Sequence, residues 1–205
     1  MMKPKICVSG SAANNFGAGA FKKAWEVGYH IIKNGGILVT GATIGIPEWA
    51  TRGAYAAAKK FKVKGPISIG LSPAASMREH VRKYHLPTKN MDLIIFTGFD
   101  YSGRNLLMTR SADAVIEICG RVGTLNEFTI AFEDRKPVGV LLGTGGAVEE
   151  IPQLLKVAKR GHKNVHYDTD PEKMVKAVAK AVRERNKLIE KEELNLHKRK
   201  VTSPE

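Results

Sequence analysis

Only two cysteines occur in the chain, Cys7 and Cys119, and each sits in a short apolar run. That excludes a disulfide scaffold and a cysteine-rich metal centre, and it reads as two buried thiols in a reducing compartment. Aromatic residues make up 7% of the chain, and the basic residues form no stripe with aromatics between them. A nucleic-acid groove built on stacked bases is therefore not expected. No apolar run approaches the roughly eighteen residues of a membrane span, and Met1 to Lys5 lead straight into a strand-like segment without a signal peptide's apolar region. Membrane partners are not expected, and a cytoplasmic location is. The sequence has no G-x-x-x-x-G-K-[ST] and no clean G-x-G-x-x-G with a downstream acid. That sets aside P-loop phosphoryl transfer and dinucleotide hydride transfer, and no cofactor is expected.

What is present is enough for one core: 205 residues, 43% of them hydrophobic, punctuated by 20 glycines. Thirty-three Lys and Arg face twenty Asp and Glu, a formal charge of +13 that favours anionic ligands without choosing between phosphates and nucleic acid. Apolar runs recur at Ile6 to Ser9, Ile37 to Thr40, Ile67 to Leu71, Leu93 to Thr97, Ala114 to Cys119 and Val138 to Leu142. They do not alternate, the mark of parallel strands covered by helices on both faces. Helical spacing fills the intervals at Ala20 to Lys33, Pro47 to Lys60 and Thr124 to Asp134, and then at Glu149 to Arg160 and Pro171 to about Glu193, with Asp170 as N-cap of the last. The expected fold is α/β, a Rossmann-like doubly wound parallel sheet. A single domain covers residues 1–182, and beyond it lies a charged C-terminal helix extension and tail, 183–205.

In such a sheet the ligand lies beyond the carboxyl ends of the strands, so the turns there are the places to read. Gly10 and Ser11 begin the first, a small polar loop running to Gly17, and Gly41 and Thr43 lie in the second. The turn after the fifth strand runs Cys119-Gly120-Arg121-Val122-Gly123-Thr124-Leu125-Asn126-Glu127. Its glycines permit a tight approach to a ligand, Thr124 offers a hydroxyl, and a helix start supplies amides for a phosphate. Glu127 has two readings from spacing alone: an acid facing the ligand, or the partner of Thr124 in a capping box.

This segment resembles the P-G-G-x-G-T-x-x-E signature of the Lonely Guy family, part of a wider Rossmann-like superfamily (SLOG) whose members were once labelled lysine decarboxylases. Arg104, Met108 and Ala112-Asp113-Ala114 resemble the family's second signature, and the spacing from Arg104 to Glu127 agrees with it. Ile6 to Ser11 and Leu38 to Gly41 are similar to its first two strands and loops, so the likeness covers about residues 5 to 142. The resemblance implies hydrolysis of the N-glycosidic bond of a nucleoside 5′-monophosphate, releasing base and ribose 5-phosphate. Under it Arg104 and Glu127 are catalytic, Gly10, Ser11, Gly41, Thr43, Gly120, Arg121, Gly123 and Thr124 hold the phosphorylated ligand, and the protein is a homodimer. The same superfamily contains molybdenum-cofactor carriers and nucleotide sensors, which gives the alternative of binding without turnover, and a DNA-processing branch.

The chain departs from the signature at Cys119 for its Pro, Arg121 for its second Gly, and Asn105 for the Lys that commonly follows the upstream Arg. Arg121 either adds a cation to the anion seat or closes the turn through lost glycine flexibility. Gly41 to Gly45 also lacks the family's G-G-G-x-x-G-x-M pattern. Other candidates are weaker. His80 and His85, five apart, do not share a helical face and read as surface histidines rather than metal ligands, so no metal is expected. Arg78, Arg82 and Lys83 line a rim or face solvent, and Phe99 and Tyr101 are placed to stack a base.

Overall fold

Every apolar run becomes a strand, and the computed structural model, which describes residues 3–13, 18–161 and 163–201, assembles them into one parallel sheet. The strands are β1 (Lys5–Gly10), β2 (Ile37–Thr40), β3 (Ser68–Ser72), β4 (Leu93–Phe96), β5 (Ala114–Ile118), β6 (Val138–Leu141) and β7 (Val165–Asp168). Their order across the sheet is β4-β3-β2-β1-β5-β6-β7, with every pair parallel. The chain winds outward from β1 in one direction and from β5 in the other, so this is the doubly wound α/β architecture the apolar runs predict.

The helices are α1 (Ala18–Lys33), α2 (Ile46–Phe61), α3 (Met77–Arg82), α4 (Asp100–Ser111), α5 (Val122–Glu133), α6 (Ile151–Val157) and α7 (Pro171–Val201). Ile6, Val8, Leu38 and Ile116 point to the face covered by Ala24, Val27 and Ile31 of α1, Ala50 and Ala54 of α2, and Met174 and Val178 of α7. Cys7, Val39, Val115 and Val140 point the other way, beneath Met108 of α4, Phe128 and Phe132 of α5, and Leu155 of α6. Alternate residues of one strand thus feed two separate apolar layers, which is why the runs show no polar alternation. Both cysteines are buried and free, one more small apolar filler in each layer.

Four features depart from the sequence reading. β7 was not expected: Val165-His166-Tyr167-Asp168 is an edge strand, and only Val165 is buried, so it lacks the apolar run of the inner strands. β4, the other edge, leaves Leu93 and Ile95 exposed although its run is as apolar as the rest. The expected helix from Glu149 to Arg160 splits into a 3-10 turn (Gly146–Glu150) and α6. His80 is no surface histidine: it is fully buried, with Nδ1 2.8 Å from Ser72 Oγ and Nε2 2.9 Å from the Pro87 carbonyl. A polar ring with both nitrogens satisfied can sit in a core, a pairing that spacing does not reveal. His85, Arg78, Arg82 and Lys83 are exposed.

Asp170 caps α7 as read, its Oδ1 accepting from the Lys173 amide at 2.9 Å. Among the described side chains of α7 full burial ends at Val182, and the backbone stays helical to Val201, past the expected stop near Glu193. Asn14 to Gly17 of the first loop and Thr202 to Glu205 of the tail lie outside the described residues. Among the described residues no helix is long and apolar enough to cross a membrane.

Candidate functional site

The winding direction reverses between β1 and β5, and a parallel sheet opens a crevice at that point because the two loops leave in opposite directions. A pocket of about 220 Å³ lies there. The loop after β1 supplies Gly10, Ser11 and Ala12, the turn after β5 supplies Arg121, Gly123 and Thr124, and α4 adds Tyr101, Arg104 and Asn105 opposite Glu127 of α5. Of ten residues expected to form the site, seven line this pocket: Gly10, Ser11, Arg104, Arg121, Gly123, Thr124 and Glu127.

Arg104 and Glu127 meet although 23 positions separate them. Arg104 Nη1 lies 3.5 Å from Glu127 Oε1, and both side chains are 7% exposed. Ser9, at the end of β1, donates its hydroxyl to Glu127 Oε2. Asn105, with its amide nitrogen turned inward, donates to Glu127 Oε1 at 2.7 Å and to the Tyr101 carbonyl at 2.9 Å. Glu127 is thus held by three residues from two elements, β1 and α4. Burial lifts its carboxyl above the ordinary range, opposed by the Arg104 charge and by the Ser9 hydrogen bond. An acid so placed sits closer to neutrality than a surface glutamate and is suited to exchanging or steering a proton. Arg104 Nε has no partner and Nη1 also faces the Met108 sulfur at 3.2 Å, so the guanidinium keeps donor capacity for a ligand.

Glu127 is therefore not a capping-box residue. The N-cap of α5 is Arg121, which makes Thr124 the third helical residue and leaves Glu127 a turn deeper, pointing at Arg104. The Thr124 amide is used within the turn, donating to the Arg121 carbonyl at 3.0 Å. Val122 and Gly123 are the first two residues of the helix, where backbone amides have no intrahelical acceptor and lie at its positive end.

The signature's substitutions have a backbone explanation. Cys119 has φ 58°, a left-handed conformation closed to proline, and its amide donates to Thr144 Oγ1 at 2.8 Å. Gly120 follows at φ 98°, and a Cβ there would run into the Thr124 side chain. Arg121 has φ −129° and ψ −155°, extended backbone open to any residue, and its side chain is exposed at the pocket. The turn is consequently not closed by loss of a glycine, and the reading that survives for Arg121 is an added cation.

Gly41, Thr43 and Gly120 do not line the pocket. A Cβ on Gly41 would overlap the Arg104 guanidinium, so this glycine makes room for the arginine, while Thr43 is buried. Tyr101 and Phe99 are exposed at 44% and 65%, and only Tyr101 reaches the pocket. Sequence reasoning missed Ser9, Asn105 as a partner of Glu127, Thr144 and the buried Glu117. Ser9 and Glu117 were visible as polar residues interrupting apolar runs. Thr144 acts through a loop remote from the turn, where spacing gives no signal.

The model of the SLOG cluster4 family matches residues 3–175. An uncharacterised protein from Archaeoglobus fulgidus is 30% identical over 121 residues, 59% of this chain and 70% of that one. Among solved structures, the molybdenum cofactor binding protein from the phototrophic bacterium Rippkaea orientalis is similar with a TM-score of 0.69 and 26% identity, over 87% of this chain and 96% of that one. The molybdenum cofactor carrier protein from Chlamydomonas reinhardtii is similar with a TM-score of 0.69 and 25% identity, over 88% and 99%. With the family match extending from β1 into α7, the chain belongs to the SLOG cluster4 family.

Proposed function

We propose that the protein hydrolyses the N-glycosidic bond of a nucleoside 5′-monophosphate, giving free base and ribose 5-phosphate. The observation that carries this reading is the Arg104–Glu127 pair, buried in a crevice that the glycine-containing turn after β5 also lines. Breaking the bond between C1′ and the base nitrogen builds positive charge on the ribose ring, and a fixed carboxylate beside it stabilises that charge more than it stabilises the substrate. Water adds its oxygen to C1′, the electron pair of the broken bond leaves on the base nitrogen, and a water proton passes by way of Glu127 to the departing base. Arg104 grips ribose hydroxyl or phosphate oxygens with the donors that Glu127 leaves free. Arg121 and the amides of Val122 and Gly123 hold the 5′-phosphate, and Tyr101 offers a ring edge or face to the base.

Incubating the purified chain with AMP, GMP, CMP and UMP and separating free base by chromatography tests the proposal. Base release that disappears in Glu127→Gln and Arg104→Ala supports it. Raised melting temperature with a nucleotide, but no base released from any of the four, rejects turnover.

That second outcome belongs to a carrier of a phosphorylated small molecule, a reading favoured by the likeness to the two molybdenum-cofactor proteins and by Arg121 as an added cation at the turn. The proposal extends to a homodimer, supported by exposed Leu93 and Ile95 on the edge strand and by exposed Leu106 and Leu107 on α4. Sedimentation of the wild type against Leu106→Asp tests it, a monomeric wild type being the result that rejects it.

A further inference from the structure

A second carboxyl group, outside the pocket lining, has no role in the scheme above. Glu117 lies on β5 and is fully buried, neither oxygen makes a hydrogen bond of full geometry, and the Ser9 hydroxyl is the side-chain hydrogen-bonding group that acts on it. It occupies the sheet face of Val115 and stands across from buried Val140 of β6. On its other side the register pairs it with Ser9 of β1, the residue whose hydroxyl proton goes to Glu127 Oε2. Ser9 is therefore common to both carboxyl groups.

Among the described residues, the charged and titratable groups facing this spot are few. Arg104 arrives from α4 and is paired to Glu127 of α5 at 3.5 Å. Cys7 of β1 is buried, its thiol pushed well up by burial and by Glu127 and Glu117, so it stays neutral and adds no further negative charge. Lys136 is turned to the Arg110 and Ala112 carbonyls ahead of β5. Among the described residues, two carboxyl groups thus share one cation and one hydroxyl. Ser9 has a single proton, already committed to Glu127, but its oxygen can still accept one. A carboxylate without a cation in an apolar layer is prohibitively costly, whereas a neutral acid there has a proton to give.

We propose that Glu117 is a positioning residue for Glu127: as the neutral acid it donates to the Ser9 oxygen, which commits Ser9's own proton to Glu127 and fixes that carboxylate toward the pocket with Arg104 as its counter-charge. Burial and the neighbouring Glu127 push the Glu117 acid well above the usual carboxylate range, in keeping with the proton's residing there. The pair then carries one negative charge for as long as Glu117 keeps its proton and takes a second only as pH rises through its raised value, where the hydrogen-bond chain loses its first donor. The proposal rests on Glu127 as the working carboxylate of the site, whether the ligand there is cleaved or held.

The test uses the full chain labelled with carboxyl-¹³C glutamate, in wild type, Ser9→Ala, Glu117→Gln and Glu117→Ala. The Glu117 resonance, identified by its loss in the substituted chains, is expected to stay at the protonated position through neutral pH, and the Glu127 midpoint to rise in Ser9→Ala. With AMP as substrate, Glu117→Ala is expected to lose about tenfold in rate, and Glu117→Gln, which keeps a neutral donor, to recover most of that loss and to lack the wild type's alkaline limb. A Glu117 carbon that titrates in the ordinary carboxylate range overturns the proposal, as does a Gln variant as impaired as Ala. If the wild type releases no base, the hydrolase reading fails while this proposal is still decided by the carboxyl titrations, which need no substrate.

Discussion

Gly41 and Arg104 are complementary surfaces: the guanidinium occupies the place where a Cβ on residue 41 would stand. The end of β2 thus sets the height of a side chain that belongs to α4, on the far side of the pocket floor. Gly41→Ala is expected to displace the arginine while leaving the fold intact, because the conflict is with the end of a side chain and not with backbone. Base release from AMP should fall about as far as in Arg104→Ala, on the order of a hundredfold. Adding Gly41→Ala to an Arg104→Ala chain should then cost little more, since the clash has no object. Additive losses in that double-mutant cycle would show that Gly41 acts elsewhere.

The pH dependence has a defined direction. Burial raises the Glu127 acid, and Arg104 opposes that rise. Activity that needs the carboxylate should fall as pH drops through a value above the ordinary glutamate range. Arg104→Gln removes the opposing charge, so the acid limb of kcat/KM should move to higher pH. A limb that stays in place or moves down would mean that another group titrates there.

Stability carries the opposite sign. Glu117, raised well above its ordinary value in the folded chain, holds its proton where the unfolded chain has lost it. The folded state then binds more protons, and stability falls as pH rises from the ordinary carboxylate range toward the folded-state value. Urea unfolding measured across that interval should show a decline in the wild type and a flatter profile in Glu117→Gln. Parallel profiles would place the proton elsewhere.

The doubly wound sheet was legible because buried parallel strands leave continuous apolar runs, and the inner strands β1, β2, β3, β5 and β6 are short enough for each run to map to one strand. β7 was not, since an edge strand with one buried residue has no such run. Arg104 and Glu127 were identified by resemblance, and the structure supplies what resemblance lacked: α5 begins at Val122, which removes Glu127 from the helix cap and turns it to the pocket. Gly41 and Thr43 were read as ligand contacts because Gly-rich loops after strands commonly are. The distinction between a glycine that admits a phosphate and one that admits an arginine depends on which helix lies opposite, and local sequence does not contain that.

The left-handed Cys119 gives a last prediction, which sets this chain apart from the signature it resembles. At φ 58° the residue can be glycine or, with strain, another L residue, but the pyrrolidine ring fixes φ near −65°. Its amide also supplies the hydrogen to Thr144 Oγ1 at 2.8 Å, and proline has no such hydrogen. Cys119→Pro, although it restores the signature, should therefore be destabilising by roughly 3 kcal/mol or more, combining a forbidden backbone with a buried hydroxyl that loses its donor. Cys119→Gly should fall within about 1 kcal/mol of wild type, because relief of the left-handed strain offsets the lost thiol packing. Thr144→Val, which leaves the Cys119 amide buried without an acceptor, should cost about 1–3 kcal/mol and weaken AMP binding through the loosened turn. Urea unfolding of the three variants orders them: glycine near wild type, valine at 144 in between, proline lowest. A proline variant as stable as wild type would mean that the turn after β5 takes a different backbone, and the positions assigned to Gly120, Arg121 and the amides proposed to hold phosphate would have to be drawn again.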